Sequence, residues 1–286
     1  MAMLESELRP ARNWSADAEG SIHDDATAAK LGFRGGTVAG SIHMDQFPPV
    51  LLRAFGARFF EDGALSLYFL NATIDREAVR VYAEAPSGGA TQIGVHMKRE
   101  DGLDVCEGTA SVGDASKSAL RTRDLRGCDP SELRLLRALE PGMQLGESRV
   151  RLGPEKQRER IERGLSSGPL DWYTGPSPWG GPIAAPSALV ELLWAPPTKV
   201  LSAQIGKAVG LFGAIEVAHL AGPVFLDQTY TVTAEVEAVG QSPKTENLWF
   251  DALARDDGGR AIARLRMLLR FMKASSPLYG GVSKGA

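Results

Sequence analysis

The chain has 286 residues, 43% hydrophobic and 23% charged, with a formal net charge of −3. That is room for two domains with full apolar cores, and the near-balanced charge gives no drive towards nucleic acid or an anionic membrane surface. Its two cysteines, Cys106 and Cys128, lie outside any CxxC or Cys/His cluster, so a zinc site and a disulfide scaffold are both excluded and a reducing, cytoplasmic location is expected.

The first ten residues are polar and charged, unlike a signal peptide. No apolar run reaches the roughly 18 residues of a membrane span.

The first informative stretch is Gly20-Ser-Ile-His-Asp-Asp-Ala-Thr-Ala-Ala-Lys-Leu-Gly-Phe-Arg-Gly-Gly-Thr-Val-Ala-Gly40. It sets a histidine among acids, then a short Ala-rich segment, then Gly-Gly. Asp24 and Asp25 are placed to cap a helix over Ala26–Leu31. A longer helix is predicted from Ser41 through Ile42, Met44, Phe47, Val50, Leu51 and Phe55. Pro48-Pro49 interrupts it, and an interior proline costs about 3 kcal/mol, so a kink or a new helical segment is expected there.

Strands over Gln92–Lys98 and Asp104–Val112 follow, joined at Asp101-Gly102 by an expected type I′ turn. Cys128–Leu139 reads as a short helix with a capping box at Ser131. Gly153–Arg163, dense in both charge signs, reads as a solvated helix. A further helix is predicted over Ala188–Trp194, with Ser187 as N-cap and a stop before Pro196-Pro197. Tyr230, Val232, Ala234, Val236 and Ala238 alternate with polar residues, as a half-buried strand does. Ala261 to Phe271 alternates likewise, opposite a side carrying Arg264, Arg266 and Arg270, after a turn at Asp257-Gly258. The stretch Pro277–Ala286 is expected to fray.

The chain also repeats itself. Gly35-Gly36-Thr-Val-Ala-Gly-Ser41 matches Gly180-Gly181-Pro-Ile-Ala-Ala-Pro-Ser187. Ile74-Asp75 to Glu84 matches Leu226-Asp227 to Glu235, and Arg99-Glu-Asp-Gly102 matches Arg255-Asp-Asp-Gly258. Three matches in one order indicate two copies of one unit, each a helix followed by long antiparallel strands.

One helix wrapped by an antiparallel sheet, twice in a chain, resembles the double hotdog fold, an α+β architecture. Ser21-Ile22-His23-Asp24-Asp25, Ala29, Gly32-Phe33, Gly35-Gly36, Val38 and Gly40 resemble the signature of MaoC-like acyl dehydratases and (R)-specific enoyl-CoA hydratases. That signature runs Asp-x-Asn-Pro-x-His-x-Asp, an Ala, Gly-Phe, and a His-Gly at the start of the hotdog helix. The motif likeness spans about Glu19–Ser41. It implies residues 1–115 as an N-terminal hotdog with the active site, 116–146 as a linker, 147–275 as a second hotdog without catalysis, and 276–286 as a flexible tail.

Carried over, the motif histidine falls on His23, its second Asp on Asp25 and its helix-start glycine on Gly40. The catalytic Asp falls on Ala18, the Asn on Gly20 and the helix-start His on Ala39. Asp17 and Glu19 flank the vacant position. The resemblance therefore implies His23 as base and acid, Asp25 or Glu19 as partner carboxylate, and the Gly40 N–H as a donor to a thioester carbonyl. Ser41, His43, Asp45, Trp172 and Tyr173 are candidates to line the substrate site. His96 and His219 are expected to be structural.

The implied activity is dehydration of a 3-hydroxyacyl thioester, or hydration of the 2-enoyl thioester. No metal or redox cofactor is needed, because the substrate rides on coenzyme A or on the phosphopantetheine of an acyl carrier protein. Two rivals stand beside it: a thioesterase centred on Asp45, and a repurposed hotdog that binds an acyl or polyketide-like ligand. A homodimer paired through exposed sheet edges is a further expectation.

Overall fold

The computed structural model describes residues 2–205 and 207–280. Their strands form one 11-stranded sheet in which every pair is antiparallel. The N-terminal half supplies β1 (Met3–Glu5), β2 (Arg9–Pro10), β3 (Gly63–Phe69), β4 (Ala78–Glu84), β5 (Gln92–Arg99) and β6 (Asp104–Val112). The C-terminal half supplies β7 (Gln144–Arg151), β8 (Gly210–His219), β9 (Thr229–Gln241), β10 (Thr245–Arg255) and β11 (Ala261–Met272). The path is β1-β4-β5-β6-β3-β8-β11-β10-β9-β7, with β2 also on β4. The order β4-β5-β6-β3 and its mirror β8-β11-β10-β9 are two copies of one sheet, fused where β3 pairs with β8 from Ala64↔Ala218 to Tyr68↔Ala214.

The repeat is visible in the loops as well. Thr37 bridges Ile74, and Ile183 bridges Phe225. Val38 N–H donates to Thr73 O at 2.9 Å, and Ala184 N–H to Val224 O at 2.8 Å. The two halves thus superpose one residue away from the alignment suggested by the Gly-Gly pairs.

Strand periodicity reads true where one face is buried. Tyr230, Val232, Ala234 and Val236 point into the core from β9, and a register shift opposite Trp249/Phe250 turns Ala238 to the other face. Both hairpins form, but not with type I′ turns. Positive φ falls on Gly102 alone (86°) and on Gly259 rather than Gly258 (80°). Register shifts follow at Met97/Lys98 and Ala254/Arg255, the pattern of a longer loop closed by a bulge.

The helices are α1 (Asp25–Lys30), α2 (Gly40–Met44), α3 (Pro48–Phe55), α4 (Phe59–Asp62), α5 (Pro154–Glu162), α6 (Leu170–Thr174) and α7 (Pro186–Gln204). Pro48 and Pro49 open α3 as its first residues, where a missing N–H is harmless. Helix α7 corrects two expectations. Its N-cap is Ala185 rather than Ser187, and it runs through the buried Pro196 and Pro197. Each interior proline costs about 3 kcal/mol. Burial of Leu189, Val190, Leu192, Leu193 and Leu201, at about 1.5–3 kcal/mol each, outweighs that.

Cys128–Leu139 is not a helix either. Only a 3-10 turn over Pro130–Glu132 forms, capped by Asp129 rather than Ser131. The N–H groups of Arg134, Leu135 and Leu136 donate instead to the buried Glu246 carboxylate, at 2.8, 3.0 and 2.9 Å. Tyr279 O–H donates to it too. That bond holds Pro277–Tyr279, itself a 3-10 turn, so residues 276–280 are anchored, and 281–286 lie outside the described residues. Burial raises the Glu246 carboxyl, but the Tyr279 hydroxyl and the three amides outweigh it and hold it below its ordinary value.

The segment before that turn straps the outer face of the sheet. Leu120 and Leu125 pack on Ala214, Ala238, Trp249 and Leu268. Arg121 bridges the buried Glu216 at 2.8 Å and Asp251 at 2.5 Å.

Glu246→Gln should lower stability by about 3 kcal/mol at pH 7 by chemical denaturation, because three amides and a phenol lose a charged acceptor. A depressed carboxyl stabilises in full above its ordinary value, and that contribution is lost as pH falls from there through its lowered value in the folded protein. The gap between wild type and variant should therefore close below about pH 4.

Candidate active site

A cleft of about 660 Å³ opens beside α2 and runs to the place where β3 and β8 part. Their pairing stops at Tyr68↔Ala214, while β8 extends back to Gly210. Phe69 and Leu70 line one lip of this gap, and Gly210, Leu211 and Phe212 the other.

His23, Gly40 and His43 line the inner end. His23 Nδ1 lies 2.7 Å from Thr37 O. A carbonyl only accepts, so Nδ1 carries a proton, and in the neutral ring the lone pair lies on Nε2. The surrounding chain fixes this ring. Asn13 Nδ2 donates to His23 O at 2.8 Å, and His23 N–H donates to Ser21 Oγ at 3.1 Å. Gly36 packs so tightly that a Cβ there would lie 2.1 Å from His23 O.

His43 is 3% exposed, with Nε2 2.7 Å from the hydroxyl of the fully buried Thr73. Burial pushes it down to about 4, so it is neutral near pH 7. Gly40 opens α2 beneath the Phe69 ring, whose Cε2 would be 2.5 Å from any added Cβ. Helix α2 has only five residues, so its dipole adds little and the individual N–H groups matter more.

The other sequence candidates stand elsewhere. Asp25 is exposed and accepts Gly36 N–H at 2.7 Å, and Asp24 caps α1. Both carboxylates serve the turn and neither lines the cleft. Glu19 and Asp17 sit in an exposed turn away from it. Ser41 does not line it either.

Asp45 is fully buried and accepts Ser187 N–H and Oγ–H, each at 2.7 Å, and Ser166 Oγ–H at 2.8 Å. Burial raises its carboxyl, with the serine donors and Arg160 pulling only partly back. It supplies the cap for α7 that Ala185 cannot. Trp172 and Tyr173 pack edge-on to Phe60, at 5.9 and 6.3 Å between rings, with Trp179 against Trp172 at 5.5 Å. They form core between α4 and α6, not a substrate wall. His96 stacks on Tyr82 at 4.8 Å, and His219 is buried against Phe59 and Phe60.

Thr37, Thr73, Asn13 and Phe69 escaped sequence reading because nothing local marks them; the Thr37–Ile74 bridge, the Asn13 amide and the end of β3 bring them to the site. The outer end of the cleft is cationic. Arg123, Arg126, Lys244 and Arg270 border it, against Asp124, whose carboxylate already accepts Arg126 N–H at 3.0 Å. Among the described residues no group of three or more His, Cys, Asp or Glu is placed to hold a metal, and no helix is long and apolar enough to cross a membrane.

Asp45→Asn should lower stability by about 2 kcal/mol through loss of a carboxyl oxygen that accepts from Ser187 and Ser166. It should leave catalytic turnover within about twofold. An assay of rate beside a denaturation curve separates this structural role from a catalytic one.

Neither a scan of sequence-family models nor a search of curated protein sequences finds a match. Solved structures do match. A protein from Chloroflexus aurantiacus described as a MaoC domain dehydratase aligns over 95% of this chain and 94% of its own, with TM-score 0.59 and 11% identity. A conserved Mycobacterium tuberculosis protein with a double hotdog fold aligns over 95% and 96%, with TM-score 0.61 and 13% identity. A MaoC-like dehydratase aligns over 94% and 97%, with TM-score 0.54 and 14% identity. At these identities the likeness is one of architecture: along nearly its whole length the chain has the double hotdog fold found in MaoC-like dehydratases.

Proposed function

We propose that the protein dehydrates a 3-hydroxyacyl thioester, or hydrates the 2-enoyl thioester, with His23 as the proton carrier. The observation that carries this is the orientation of His23: Nδ1–H is committed to Thr37 O on a residue that lines the cleft, which leaves Nε2 of the neutral ring to serve as the base. An imidazole can both take and return a proton, as general acid–base chemistry on a thioester requires.

In the dehydration direction Nε2 takes the proton from the carbon beside the thioester carbonyl, and negative charge moves to the carbonyl oxygen. The bond between the next carbon and its hydroxyl then breaks. The imidazolium returns its proton to the departing hydroxyl, and water leaves. One imidazole balances both transfers, so the vacancy at Ala18 leaves no proton unaccounted for. The Gly40 N–H would hold the carbonyl oxygen as charge builds.

The cationic outer end suits the phosphates of a carrier, either coenzyme A or the phosphopantetheine of an acyl carrier protein. Leu211, Phe212 and Met272 give the channel between the two ends an apolar wall. A thioesterase remains the rival reading, but without Asp45 as its centre, because that carboxyl is buried at the start of α7.

The test follows the ultraviolet absorbance of a short trans-2-enoyl-CoA beside a free-thiol assay. Wild type should consume the conjugated enoyl group without releasing thiol, and His23→Ala should slow this by about 100- to 10,000-fold. Thiol release that survives His23→Ala would reject the assignment.

A further inference from the structure

We propose that His43 is a second catalytic group, a neutral donor whose Nδ1–H holds the thioester carbonyl oxygen, and that Thr73 is the positioning residue that fixes its tautomer. The proposal rests on the thioester reading of the cleft and adds a residue that the motif at 19–41 does not contain.

The argument begins with the buried hydroxyl of Thr73. Thr73 is 0% exposed, and its Oγ1 has one protein partner among the described residues, His43 Nε2 at 2.7 Å. Two arrangements are possible. If Nε2 carried the proton and donated, the Thr73 O–H would be buried without an acceptor, which costs about as much as a lost hydrogen bond. If the hydroxyl donates to Nε2, both groups are satisfied. The second arrangement places the ring proton on Nδ1.

Nδ1 is also the nitrogen that meets the ligand. It has no protein partner among the described residues, yet it is not among the buried polar atoms sealed without one, and His43 lines the cleft. Side chains on a helix lean back over the preceding turn. From position 43 of α2 that direction leads towards Gly40. Burial holds the ring down at about 4, so it stays a neutral donor throughout the working range, as a neutral imidazole does where a carbonyl must be polarised without general acid transfer.

The two histidines are tied to adjacent backbone. Thr37 O holds His23, Thr73 Oγ holds His43, and the next link, Val38 N–H to Thr73 O at 2.9 Å, joins the two anchors. One imidazole thus presents a lone pair to the cleft and the other presents an N–H. His23 moves the proton. His43 transfers none and only stabilises the oxyanion while it exists.

The chain has four histidines, so long-range proton–nitrogen correlation on 15N-labelled protein resolves each ring. At pH 7 His43 should be the Nδ1–H tautomer in wild type and in Thr73→Ser, and should lose that preference in Thr73→Val. An Nε2–H tautomer or an imidazolium in wild type overturns the proposal.

In the enoyl hydration assay His43→Ala should lower kcat about 100-fold with little change in KM. His43→Asn, whose amide stands near the place of Nδ1, should recover part of the loss. Full kcat in His43→Ala overturns the proposal.

A third arm separates its failure from that of the reaction itself. The carbonyl carbon of a saturated [1-13C]acyl-CoA should move downfield on binding wild type, and less on binding His43→Ala. A protein that shows this difference but hydrates nothing refutes the hydratase reading and retains the donor. Equal shifts on both proteins refute the donor, and absence of binding refutes both.

Discussion

Everything distinctive here depends on five residue pairs, Ala64↔Ala218 to Tyr68↔Ala214, that join β3 to β8. Backbone bonds across this seam turn two sheets into one and set the two helical layers side by side on one face. The seam is also finite. Past Tyr68 and Ala214 the strands part, and the cleft occupies the gap. The pairing that builds the fold thus also decides, by where it ends, where a ligand can enter.

The same proximity makes the halves unequal. Asp45, at the end of α2, reaches across and caps the start of α7 through Ser187. The matching start of α2, at Gly40, receives no such carboxylate and faces the cleft. One helix start is therefore sealed by a buried carboxyl and the other left open. A carboxylate sealed in that way stays there because Ser187 and Ser166 satisfy it, and removing it would strand their donors. Trp14, stacked under Arg163 at 4.6 Å and Arg160 at 5.5 Å, ties the loop that carries Asn13 and His23 to the C-terminal half. The site is thus held from both halves, although its histidines come from one.

Local pattern reads well where a segment has one wet face and one dry one. The strands around Tyr230–Ala238 and Gln92–Lys98 announce themselves by alternation, and the prolines at 48 and 49 announce the start of α3. Reading fails where a distant group supplies what the local chain lacks. Glu246 takes the amides that a helix over Cys128–Leu139 would have used. Core burial carries α7 through two prolines that should have ended it. Asp45, a plausible nucleophile from its place on a helix, proves to be a cap, because its partners are 121 and 142 residues away.

The sequence by itself determined the duplication, the alternation of the strands, the position of His23 in a turn rich in small residues, and the glycine at 40. These are short-range properties, set by periodicity and by the backbone freedom of particular residues. Only the tertiary structure decided that Thr37 and Thr73 orient two imidazoles in opposite senses, that Glu19 and Asp25 stay out of the cleft, and that Arg123 and Lys244 both border it. A tautomer is chosen by whichever hydrogen-bond partner arrives from elsewhere in the chain, and no spacing of residues along the sequence encodes that arrival.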